Sequence, residues 1–173
     1  LSKVITFSRQ FPVTHPKAGK ETNFVEQILN SINIDYRDAE YVKQLEELNP
    51  QLNRHLVFDF WTTLNTKIEN KKGHTIRAGQ RFEALEIFTP RVWSAKPYGS
   101  KQIIIAPEMQ IAKTFTFEMD YDKILVQKKW LDFFEINAVS KNDGLEYQDF
   151  LDWFKFPGNF TGQAIVWDKT IEY

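Results

Sequence analysis

The hydrophobic pattern changes period near Gly79, and that change limits the folds open to this chain. Before it, apolar residues recur every three or four positions, the spacing of helices buried on one face. Val25, Ile28, Leu29 and Ile32 predict a helix over 23–33, with Thr22 as its cap. Tyr41, Val42, Leu45 and Leu48 predict a second over 38–48, ending before Pro50. Leu56, Phe60, Leu64 and Ile68 predict a third over 52–69. After Gly79 the spacing becomes that of strands: Ile111, Phe115 and Phe117 alternate with Ala112, Thr114 and Thr116.

The remaining segments fit around this division. KVITFS at the start reads as a strand, and the Pro- and Gly-containing FPVTHPKAGK as a loop. A long strand is expected over 81–93, broken or bulged at Pro90. A β-turn at Lys96-Pro97-Tyr98-Gly99 then leads into further strands at 101–106, 110–119, 123–127 and 130–134. Tyr147, Phe150, Leu151 and Phe154 predict a late amphipathic helix, and 163–167 a final strand. With 173 residues, 15 Phe and 5 Trp, such a chain can bury one aromatic-rich core. The expectation is a single α+β domain over 1–173.

Several chemistries find no support. No cysteine is present, which removes disulfides and thiolate metal sites. Asp143-Gly144 resembles part of a calcium loop, but Val139, Lys141 and Phe150 would fall where oxygen ligands are needed. His15, His55 and His74 lie too far apart for a local zinc motif, and no glycine spacing matches a phosphate-binding loop. Neither a metal nor a cofactor is expected. No apolar run is long enough for a signal peptide or membrane span, so a cytoplasmic chain without a membrane partner is expected.

Charge is segregated within a net of -1. Residues 1–20 carry Lys3, Arg9, Lys17 and Lys20 without an acid, and 71–101 carry seven Lys or Arg against Glu83 and Glu86. Such clustering creates a local positive field, on a solvated surface or around an anionic ligand. Within KKGHTIRAGQRF (71–82), an extended 74–77 directs Thr75 and Arg77 to one side, where a hydroxyl and a guanidinium can hold a phosphate, carboxylate or carbonyl. Lys72 adds a point charge or, if desolvated, a base. The competing reading leaves Thr75 bonded to backbone and the charges in water. In RVWSAKPYGSKQ, Arg91, Lys96 and Lys101 alternate with Trp93 and Tyr98. Cations for phosphates and rings for bases are the combination used by single-strand binders.

ITFSRQFP, KKGHTIRAGQRF, RVWSAKPYGSKQIII and NDGLEYQDFLDWF…FTGQAIVW together resemble the ASCH group of PUA-like domains, in the same order and over most of the chain. The resemblance implies a PUA-like β-barrel with flanking helices, in which 21–70 is a helical insertion. It implies RNA or a nucleotide-like ligand in a cleft beside the basic motif, with Ser8 and Arg9 at its edge. The ligand-binding set is then Ser8, Arg9, Lys72, His74, Thr75, Arg77, Arg91, Trp93, Lys96 and Tyr98. One branch of the group, the acetylcytidine amidohydrolases, carries a Lys-x-x-Thr-Ile-Arg stretch that Lys72, Thr75, Ile76 and Arg77 match. For an enzyme this implies Thr75 as nucleophile and Lys72 as its base. The assisting glutamate of that branch falls on Lys141, which leaves Asp143 as the nearest carboxylate. A third class is a protein-interaction module that uses the acidic helices of 21–70.

Overall fold

The computed structural model describes residues 2–121, 123–155 and 158–173. Its elements are β1 (Lys3–Phe7), α1 (Phe24–Ser31), α2 (Ala39–Leu48), α3 (Arg54–Thr62), β2 (His74–Ala78), β3 (Ile87–Trp93), β4 (Gln102–Ile104), β5 (Met109–Gln110), β6 (Lys113–Asp120), β7 (Lys123–Val126), β8 (Lys129–Trp130), α4 (Phe133–Asn142), α5 (Tyr147–Phe154) and β9 (Asn159–Val166). The class is mixed α+β. No helix among the described residues is long and apolar enough to cross a membrane.

Two sheets carry the fold. In one, β1 runs parallel to β3, which also pairs antiparallel with β4 and β5. The other has the order β2-β9-β6-β7-β8, every pair antiparallel. Among the described residues no ladder joins the two sheets into a closed barrel. Their link is packing: the Trp167 ring, just beyond β9, meets Phe7 of β1 at 5.9 Å and Phe88 of β3 at 5.8 Å. One hydrophobic core runs through sheets and helices alike.

The helices of 21–70 are bonded into this core. Tyr41 of α2 is buried and donates its hydroxyl to the Ile105 carbonyl at 2.6 Å. The Asn49 side chain accepts from Ile104 N at 2.8 Å and donates to Ile104 O at 2.9 Å, holding the end of α2 on β4. Asp38 caps α2 and Asn53 caps α3 by accepting backbone N–H groups. Thr22 accepts from Phe24 N at 3.3 Å, while Asn23, at φ 56, occupies the cap position of α1.

Three expectations require correction. The third helix stops at Thr62 instead of reaching 69, since Thr62, Thr63, Asn65 and Thr66 are weak helix formers. The strand expected over 81–93 begins only at Ile87. Pro90 lies inside β3 where the antiparallel partner changes from β4 to β5, so the missing N–H falls at a break in pairing. Phe133 and Phe134, read as strand, open helix α4, and the signal was present. Asp132 and Glu135 form a reciprocal capping box, each side chain accepting the other's backbone N–H.

Candidate functional site

The ten candidate residues divide into two groups around β2 and β3. The first group is interior. Lys72, only 1% exposed, directs its ammonium to Asp143, with Nζ 2.6 Å from Oδ1 and a second bond to the Asp143 carbonyl. It also lies 4.2 Å from the centre of the Phe24 ring. The end of α4 explains how Asp143 gets there. Gly144 takes φ +79 and closes the helix, with Gly144 N bonded to Lys141 O and Leu145 N to Ser140 O. A side chain at Gly144 would run into Gln27 Oε1 at 2.5 Å. Asp143 is therefore the last residue before the turn, with carboxylate and carbonyl facing inward, and one ammonium satisfies both. Lys141, where the resemblance sets a glutamate, is exposed.

Burial is the largest influence on both bases of this group. It lowers the Lys72 pKa from its ordinary value against the opposing pull of Asp143. It pushes His74 down to about 4. His74 is fully buried and donates Nε2–H to the Val139 carbonyl at 3.0 Å. Its Nδ1 has no hydrogen-bond partner among the described residues and stands 4.0 Å from Asp143 Oδ1. The ring is therefore a neutral core histidine, closed to a ligand.

Thr75 and Arg77 share a face of β2, opposite His74 and Ile76. Arg77 donates to the Thr6 carbonyl and sits over the Phe7 ring at 5.6 Å, so it braces the two sheets. Its Nε is buried without a partner among the described residues. Thr75 is buried, and no hydrogen bond joins its hydroxyl to Lys72.

The second group is open. Ser8, Arg9, Trp93 and Lys96 line a cleft of about 470 Å³ together with Phe7 and Glu21. The Arg9 guanidinium lies 5.2 Å from the Phe60 ring and donates to Thr63 Oγ1 at 2.6 Å. Ser8 donates its hydroxyl to Gln10 O. Beside the cleft, the Lys96–Gly99 turn closes through Gly99 N to Lys96 O at 3.2 Å. Pro97 occupies its second position and Tyr98, at φ 60, its third, the place that favours glycine. Tyr98 is 91% exposed and packs at 5.4 Å on half-buried Trp93. Arg91 lies outside the cleft walls, with Nη1 bonded to Gln102 Oε1 at 3.2 Å.

Glu21 belongs to this cleft and has no counterpart among the candidates drawn from the sequence. It is brought there by pairing between two stretches flanking the 12–18 loop. Gln10 and Glu21 form an antiparallel bridge, Phe11 N bonds Lys20 O at 2.9 Å, and Thr22 N bonds Arg9 O at 3.0 Å. The turn residues Pro12, Pro16 and Gly19 between them were the available signal.

No family model matches the chain, and neither a curated protein nor a solved structure shows significant similarity to it.

Proposed function

We propose that this protein binds RNA or a nucleotide in the cleft lined by Arg9, Trp93 and Lys96, and that its two sheets are those of a PUA-like (ASCH) barrel carrying 21–70 as a helical insertion. One observation carries the reading. A cleft of about 470 Å³ has an aromatic ring and two cationic side chains in its walls, contributed by segments far apart in sequence. That volume suits a small organic ligand. Trp93, extended by Tyr98, offers a stacking platform, while Arg9 and Lys96 suit phosphate. The test is the affinity of a short single-stranded RNA and of nucleoside monophosphates at increasing salt. Affinity that falls steeply with salt supports the reading, because phosphate contacts release counterions. Absence of binding at low salt contradicts it.

A second reading, an amidohydrolase of an acetylated nucleoside, is favoured by the 2.6 Å approach of Asp143 to Lys72. Burial lowers the Lys72 pKa, as a general base requires. It ranks second because the ammonium is bound to Asp143 and not to Thr75. Turnover of acetylcytidine, abolished by both Thr75→Ala and Lys72→Ala, would reverse the ranking.

A further inference from the structure

We propose that Glu21 makes the cleft selective for guanine, by accepting hydrogen bonds from the N1–H and N2–H₂ groups of the base. This inference rests on the nucleotide-binding reading above and adds to it the identity of the base. Among the described residues, Glu21 is the one carboxylate in the walls of the cleft, alongside Arg9 and Lys96. Among the described residues it forms no ion pair with either cation, and the Arg9 guanidinium is directed to Thr63 Oγ1 instead. The carboxylate is exposed, so its acceptor oxygens are open to a ligand. A ligand that uses every charged group of this cleft carries N–H donors as well as an anion.

The four bases differ in how they meet a carboxylate, which is acceptor-only with two oxygens side by side. Guanine offers two adjacent donors, N1–H and N2–H₂, with no acceptor between them. Adenine sets its N6 donor beside the N1 acceptor, and cytosine its N4 donor beside the N3 acceptor. Uracil has a single N3–H flanked by two carbonyls. In each of these three, a lone pair faces one carboxylate oxygen. Only guanine pairs both oxygens without repulsion. Trp93 in the same cleft provides a surface on which a base can stack, and Lys96 a charge for its phosphate.

A braced backbone keeps Glu21 at the cleft. The Glu21 backbone is held by its bridge to Gln10 and, one residue on, by the bond from Thr22 N to Arg9 O at 3.0 Å. Thr22 adds a hydroxyl bond to Ser8 O at 2.7 Å. The backbone of this segment is thus braced, and the ordering left for binding to accomplish is that of the Glu21 side chain.

The experiment is a titration of GMP, AMP, CMP and UMP into the wild-type protein and Glu21→Gln, followed by calorimetry or tryptophan fluorescence. In the wild type, GMP is expected to bind on the order of tenfold more tightly than the other three. In Glu21→Gln the ratio of GMP affinity to that of the other three should fall to about one, because an amide offers one donor beside one acceptor, a pair that each of the four bases can meet. Glu21 is exposed, so an unchanged melting curve certifies the variant's fold. Equal affinity for all four nucleotides in the wild type would overturn the proposal and leave the nucleotide-binding reading intact. A guanine preference that survives in Glu21→Gln would do the same. Failure of every nucleotide to bind would overturn both.

Discussion

The interior cluster of Lys72, His74 and Asp143 and the open cleft of Arg9, Trp93 and Lys96 are both built around cationic side chains. They differ in water. In the cluster a lysine and a carboxylate are 1% and 6% exposed along their side chains, at 2.6 Å from one another. Their charges are consumed in holding the end of α4 against the start of β2. In the cleft, Lys96 is exposed and forms no ion pair among the described residues. A buried charge must be paired to exist at all, whereas an exposed one is free to recognise something else. A basic motif therefore reports a site only after burial is known.

The largest expected effect follows from unpairing the interior. Asp143→Ala leaves an ammonium buried with only a carbonyl, and should cost roughly 3–5 kcal/mol of stability by denaturant unfolding. Lys72→Met together with Asp143→Leu should recover much of that loss, since paired apolar replacements avoid the orphaned charge. If Asp143→Ala unfolded at the wild-type denaturant concentration, the cluster would not be structural.

Acid sharpens the same contrast. His74 has its pKa lowered to about 4 in the folded protein, against 6.5 unfolded. Above pH 6.5 both states are neutral there, and stability is unaffected. Between 6.5 and 4 the unfolded chain takes up a proton that the folded chain refuses. Stability is therefore lost as pH falls through that window, by about 3 kcal/mol in full. His74→Gln keeps a donor for Val139 O but cannot titrate, so its stability should fall less between pH 6.5 and 4. Parallel pH profiles for the two proteins would contradict the neutral-histidine account.

The smallest expected effect is at the cleft's edge. Tyr98→Gly relieves a left-handed backbone that costs a tyrosine roughly 1–2 kcal/mol, while removing its packing on Trp93. Its net stability should stay within about 1 kcal/mol of wild type. RNA affinity should nevertheless fall about fivefold, if Tyr98 lengthens the stacking platform. A variant that binds as well as wild type would remove Tyr98 from the platform and leave Trp93 alone.

Elements with local signals were legible in the sequence. The helix capped by Asp38, the late helix with Phe150 and Phe154 in the core, and the burial of Phe117 on β6 all follow from spacing, whereas Phe115 is only half-buried, like Thr114 and Thr116 beside it. The start of β3 was not legible, because Leu85 takes φ 71 and breaks the extended chain just before Ile87, which the residue pattern of 81–86 does not announce. Of the site, the sequence showed which residues were basic and aromatic. It could not show that Lys72 turns inward, because that depends on Gly144 ending α4 so that Asp143 faces it. Glu21 was hidden for a similar reason: its place depends on pairing across a loop whose partners lie eleven residues apart.

The central claim is that the open group binds the ligand and the buried group holds the fold. Its most direct measurement is the salt dependence of single-stranded RNA affinity, taken on the wild-type protein and on Lys96→Ala. The account predicts that Lys96→Ala binds more weakly at low salt, with a slope of log affinity against log salt shallower by about 0.7, the value for one lost phosphate contact on a single strand. Its unfolding midpoint should match wild type. Unchanged affinity and slope in Lys96→Ala would contradict the assignment of the cleft.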